Sequence, residues 1–240
     1  PNPKPQTPNP KPLKFFIKIY RKNMNTKNYF NLILCSFLLL INIQIFAQTS
    51  NNTQKHVDSL ANKMFVDMNN RDYDAILDMM HPKAFEMAPR ESLKGIFKST
   101  FEGNEEFAIN IPKIIPKYKL SEIFKSDKNN LEYAFVSYDM KMNMTFHKQE
   151  FDDESKKMMI TMMKAKDMDV TFLTNNNLDI LMNDRVTVIL RDDSTKNKWV
   201  MVNYDPDSPL FYQIVPEGLL ETAKTYKQNL MAERKKKTED

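Results

Sequence analysis

Three methionines at alternate positions, Met140, Met142 and Met144, run toward His147 inside an aromatic-rich segment. On a strand, alternate positions place three thioether sulfurs on one face. Soft sulfur donors with an imidazole just beyond suit Cu(I). The same side chains also make a deformable apolar surface, fit either for core packing or for the floor of a pocket. Eight of the 17 methionines lie between Met140 and Met168, but Met64, Met68, Met79 and Met80 show the residue used along the whole chain. That wide use favours packing over a metal.

Proton chemistry has fewer candidates: His81, Tyr133, Tyr138, Tyr204 and Asp205. Each has a structural alternative. A histidine before a proline ends a helix more often than it serves as a base. Strand tyrosines usually pack their rings and leave the hydroxyl wet. No catalytic residue is assigned. The chain has no glycine-rich phosphate loop, no His-Glu-x-x-His, no Gly-x-Ser-x-Gly and no cysteine pair. No cofactor is implied.

The elements that would position these groups are legible from period. Val57, Leu60, Ala61, Met64, Phe65 and Met68 form one helical face. Asp72 can cap a second, short helix with Tyr73, Ile76, Leu77 and Met80 inward, ending before His81-Pro82. Pro89 opens a third, with Leu93, Ile96, Phe97 and Phe101 on one face and Gly103 as its stop. The period then becomes two, at Phe107, Ile109 and Ile111, with Pro112 and Pro116 marking a bend or edge. Tyr118 to Lys125 and Leu131 to Phe146 flank Asp127–Asn130 as a hairpin. Its long arm carries Ala134, Val136, Tyr138, Met140, Met142, Met144 and Phe146 on one face, and Tyr133 and Phe135 on the other.

Asp152-Asp153-Glu154 opens a helix that reaches about Ala165, its acids at the positive end. Val170 and Phe172 restart strand character, and Asn175-Asn176-Asn177 turns it. Leu178 to Met182 then leads through Asn183-Asp184 into the clearest hairpin, Arg185–Arg191 with Lys198–Tyr204 around Asp192–Asn197. That hairpin is apolar on both faces, so both need cover. Phe211 to Val215 reads as a last short strand. A final helix follows, with Leu219, Leu220, Ala223 and Tyr226 inward, fading into a polar tail at 233–240. The fold class expected is α+β: N-terminal helices on a curved, mostly antiparallel sheet, with an inserted helix and a C-terminal helix.

The run from Phe65 to Pro82 (FVDMNNRDYDAILDMMHP) resembles the opening of nuclear-transport-factor-2-like (SnoaL-like, cone-shaped) domains. Those begin with a helix, an Asp-Tyr/Phe-x-x-hydrophobic second helix and a His-Pro or Asp-Pro exit. Lys198-Trp-Val-Met-Val-Asn203 is similar to their last strands. The resemblance covers Thr53 to about Tyr204, and the Asp152–Lys166 and C-terminal helices are additions to it. It implies a pocket between helices and sheet, which such domains use for isomerase or dehydratase chemistry, ligand binding or protein contact. Fold does not choose among these.

The first 47 residues read separately. Residues 1–23 hold a near-repeat of Pro-Asn-Pro-Lys-Pro, expected as a disordered leader upstream of a true start at Met24. Residues 24–47 read as a signal peptide, with Lys27, an apolar stretch from Tyr29 to Phe46, and Ala47-Gln48 as the exit. Polar interruptions and the lack of a basic stop cluster argue against a membrane anchor. Cys35, the only cysteine, lies inside this stretch and lacks the setting of a lipidation site. Seven of the 35 basic residues and none of the 31 acidic ones precede residue 48, leaving 28 against 31 and a net charge of −3. The basic balance therefore belongs to the leader and is no argument for nucleic acid.

The expectation is an exported protein, periplasmic or extracellular, with one domain over 48–232 and no stable membrane span in the mature chain. Its function is expected to be non-catalytic binding of a small apolar ligand or a partner protein, with a homodimer among the partner readings. The expected pocket residues are Tyr133, Tyr138, Met140, Met142, Met144 and Tyr204. The alternatives are a pocket enzyme of the isomerase or dehydratase kind, and a periplasmic Cu(I) protein using Met140, Met142, Met144 and His147.

Overall fold

The structure, a computed structural model, describes residues 51–126 and 130–239. The expected leader, start at Met24, signal peptide and Cys35 all lie outside these residues, as do positions 127–129 of the first hairpin turn. The contacts described below lie within the compact unit Gln54–Asp240.

Helix α1 occupies residues 51–70. Its expected face is the one it buries: Val57, Ala61, Met64 and Phe65 are inaccessible, with Leu60 and Met68 half-buried. Helix α2 (Tyr73–Asp78) starts as read, with the Ala75 N–H donating to Asp72 Oδ1 at 3.0 Å and Tyr73, Ile76 and Leu77 buried. A single turn, α3 (Ala84–Met87), follows the His81-Pro82 exit. Helix α4 (Arg90–Glu102) has Pro89 just before its first turn. Leu93 and Phe101 are buried as expected, but Ile96 is 59% exposed. The inward stripe runs Leu93, Phe97, Phe101, and Ile96 falls beside it.

The sheet has seven antiparallel strands. They are β1 (Phe107–Asn110), β2 (Tyr118–Leu120), β3 (Phe124–Ser126), β4 (Leu131–Phe146), β5 (Met168–Phe172), β6 (Asn177–Arg191) and β7 (Val200–Asn203). The long pair β4–β6 is its spine. One half of that pair is flanked by β2 and β3 on one side and β7 on the other, the second half by β1 and β5. The two stretches read as separate strands around Asn183-Asp184 are one strand with a bulge. Tyr138 pairs with Arg185 and Met140 with Met182, so β6 carries one residue more than β4 there, and Asp184 has φ 49°.

The bulge changes which residues of β6 face which way. Val186, Val188 and Leu190 join Tyr133, Phe135, Val200 and Val202 on one face. Ile189 and Met201 join Ala134, Val136 and Tyr138 on the other, which α1 covers. Past the bulge, Leu178, Ile180 and Met182 sit on that second face with Met140, Met142 and Met144, covered by Phe151, Met159 and Met163. Helix α5 (Asp153–Lys164) supplies Met159 and Met163; the Ser155 N–H donates to its N-cap Asp152 Oδ1 at 2.8 Å.

One expectation fails at the C-terminal end. Phe211–Val215 is not a strand: Pro209–Ile214 forms α6, with Pro209 in its first turn. Phe211, Ile214 and Val215 are buried while Tyr212 is exposed, a helical spacing of three and four rather than two. Helix α7 (Glu217–Glu239) follows and includes the polar residues 233–239 in its last turns. With α6 it covers the Val186–Val188 face through Phe211, Leu219 and Ala223.

Candidate functional site

The β4 strand brings Tyr138 and Met140 to the floor of a cavity of about 450 Å³. Its roof is the end of α1, through Phe65 and Met68, and its far wall is Phe101 and Ile111. The volume falls in the range of small-molecule sites. The aromatic side is built tightly. Phe65 meets Tyr138 edge-on at 4.9 Å and Tyr118 at 5.3 Å between ring centroids. The Tyr138 hydroxyl lies 3.4 Å from Thr187 Oγ1, which in turn donates to Asn203 Oδ1 at 3.0 Å. Its polar end is thus engaged within the sheet.

Arg71 borders this cavity and was not anticipated from the sequence. It ends α1 in the left-handed region, φ 58°. Its guanidinium donates to the carbonyls of Met68 at 2.6 Å and Ile111 at 3.2 Å, and lies 5.3 Å from the centre of the Phe101 ring. The available signal was a lone cation between two inward helical faces in Asn69-Asn70-Arg71-Asp72.

The other expected pocket residues are elsewhere. Met142 and Met144 share the floor's face but are packed among Leu178, Ile180 and their neighbours. Tyr133 is on the opposite face of the sheet, stacked on Phe124 at 5.3 Å. Tyr204 lines a second cavity of about 680 Å³ beside α7, with Phe211, Leu220 and Lys224. Burial, then Tyr212 and Glu221, push its phenol above the ordinary value. Asp205 is exposed and accepts from the Asp207 N–H at 3.1 Å. His147 is exposed beyond β4, its N–H on the Glu106 carbonyl. The strand alternation that groups the methionines puts His147 on the other parity.

His81 is 1% exposed and sits under the β6–β7 turn. The Lys83 N–H donates to its Nδ1 at 3.2 Å, so in the neutral ring Nε2 carries the proton. Nε2 lies 3.4 Å from Ser194 Oγ, and the Ser194 hydroxyl donates to Asp192 Oδ1 at 2.7 Å. A serine nucleophile needs an unprotonated nitrogen to take its proton. Here that nitrogen is the donor, and the chain of bonds fastens a turn. Burial holds His81 below its ordinary pKa, consistent with a neutral ring.

The candidate general acids and bases are therefore scattered: Tyr138 in one cavity, Tyr204 in another, Tyr133 and His81 in the packed interior. Among the described residues no three His, Cys, Asp or Glu side chains gather as a metal group, and no helix is long and apolar enough to cross a membrane. Searches of protein-family models, curated proteins and solved structures find nothing that matches this chain.

Proposed function

We propose that the chain is an exported, non-catalytic binding domain of the nuclear-transport-factor-2-like, cone-shaped kind, and that the cavity under α1 takes a small apolar guest. The observation that carries this reading is the cavity's lining: Phe65, Met68, Phe101, Ile111 and Met140 with one tyrosine whose hydroxyl is already engaged. An apolar, adaptable wall favours binding over proton transfer. Titration with the neutral fluorophore N-phenyl-1-naphthylamine tests it. The expected result is saturable, one-to-one binding that Met140→Trp abolishes while circular dichroism is unchanged. Absence of saturable binding by the wild type counts against it. Export rests on the interrupted apolar run from Tyr29 to Phe46. N-terminal sequencing of the secreted or periplasmic protein is expected to begin near Gln48, and residues before Met24 still attached would overturn that part.

A further inference from the structure

The carboxylates around the cavity under α1 already have side-chain partners, while among the described residues its cations have no carboxylate partner. Asp67 accepts from Lys63 at 2.5 Å. Glu102 takes the Tyr73 hydroxyl at 2.7 Å. Asp139, which lines the cavity, is held by Arg234 and by the Asp184 N–H. Arg71, Lys117 and Lys141 line the same cavity, and among the described residues none has a carboxylate within ion-pair distance.

Arg71 is the best placed of the three. Its two hydrogen bonds, to the Met68 and Ile111 carbonyls, use two of five N–H groups. The Phe101 ring and the Ile111 carbonyl fix its plane at the cavity wall. A half-buried guanidinium oriented by an aromatic face and a carbonyl, with donors to spare, is suited to accept a planar anion. Lys117 and Lys141 are exposed and add positive field at the mouth. Beneath them the cavity is apolar.

We infer that the guest of this cavity is an acidic amphiphile, an apolar chain or ring system bearing a carboxylate that Arg71 receives. The inference rests on the small-molecule reading of the cavity, and three probes of equal chain length separate the two. Decanoate, decan-1-ol and decyltrimethylammonium are titrated calorimetrically into the full protein below their micellar concentrations. A charge-assisted bond to Arg71 makes decanoate at least about tenfold tighter than the alcohol, with the cationic probe weakest. Arg71→Gln brings decanoate to the level of the alcohol and leaves the alcohol unchanged, which also shows the variant folded. Should that variant fail to fold, the three wild-type affinities decide alone. Equal binding of acid and alcohol overturns the acidic headgroup and keeps the apolar cavity. Tightest binding of the cation overturns the headgroup as well. Binding of none of the three overturns the cavity reading itself.

Discussion

Arg234 on α7 forks onto Asp184 at the bulge of β6, its Nε and Nη2 donating to the two carboxylate oxygens at 2.8 and 2.9 Å. The same guanidinium reaches Asn183 Oδ1 at 2.8 Å and pairs with Asp139 across the sheet on β4. Two helical turns earlier on the same helix face, Lys227 donates to the Asn183 and Asp184 carbonyls at 3.2 and 3.0 Å and pairs with Asp167 at 3.0 Å. A bulge breaks the strand ladder locally, and the C-terminal helix supplies partners for the groups so released.

Arg234→Ala leaves Asp184, whose side chain is 13% exposed, without its fork. The expected loss is about 1–2 kcal/mol of stability, since the arginine itself is partly solvated. Hydrogen exchange is expected to quicken in the last turns of α7 and at the bulge, with α1 unchanged. Uniform protection along α7 in the variant would show that the fork does not fasten the helix.

Phe65 is 3% exposed and stands between α1 and the sheet, against Tyr118 and Tyr138. Phe65→Ala is expected to cost about 3–5 kcal/mol in urea unfolding, as for a buried aromatic. A midpoint unchanged from the wild type would mean that α1 is not seated on this face.

His81 makes stability depend on pH with a definite sign. Burial lowers its pKa below the ordinary 6.5, with Lys83 acting in the same direction and Asp192 and Glu86 opposing. The unfolded chain takes up the proton at its ordinary value while the folded chain resists it. The contribution is therefore complete above about pH 6.5 and is lost as pH falls from there toward the folded-state value. Chemical unfolding between pH 7.5 and about 5 is expected to show falling stability, and His81→Asn a shallower slope. An identical slope in the variant would place the titration elsewhere.

Two of the three glycines offer a contrast of sign. Gly103 ends α4 at φ 84°, and a Cβ there would lie 2.3 Å from the Phe107 carbonyl oxygen. Gly103→Ala is expected to cost several kcal/mol, because backbone strain and overlap act together. Gly95 lies inside α4 with nothing within 4 Å of an added Cβ. Gly95→Ala is expected to stabilise by about 0.5–1 kcal/mol. Thermal melts of both variants check the pair.

Replacing Met140, Met142 and Met144 together by leucine roughly keeps volume, so each change is expected to cost less than about 1.5 kcal/mol. Under the binding reading the variant retains its apolar guest. Titration of both forms with Cu(I) under reducing conditions is expected to give no difference. Tight stoichiometric binding by the wild type alone would promote the soft-metal reading in its place.

The sequence was most legible where a local rule and the burial pattern agreed. Asp72 and Asp152 both cap the helices they precede, and the alternation from Ala134 to Phe146 has the face assigned to it. Phe211–Val215 misled because five apolar-rich residues between prolines fit either period, and only packing against the sheet chose the helix. What fastens the polar end of α7 was not legible because its partners are distant in the chain: Arg234 lies 50 residues from Asp184. Strand parity puts Tyr138 and Met140 on one face of β4, the face that borders the cavity under α1. Tyr133 and Tyr204 were grouped with them by residue type, although the alternation of β4 already sets Tyr133 on the opposite face from Tyr138. Arg71 was missed because nothing local marks a surface cation as the border of a cavity.

The additional residue in β6 also decides what kind of change the chain can bear there. Leu178, Ile180, Met182, Val186, Val188 and Leu190 all hold even positions, so an unbroken strand would send all six to the same side. The offset at Asn183-Asp184 delivers three of them to the methionine cluster and three to the core under α7. A substitution at the offset removes a contact. A deletion of one residue there leaves two steps on both strands between the Tyr138–Arg185 and Met140–Met182 pairs, so both arms keep their partners and faces. By contrast, a one-residue insertion or deletion inside either arm turns the residues beyond it to the other face. The step at Asn183-Asp184 is thus the place along β6 where the count of residues can change by one without exchanging the two cores.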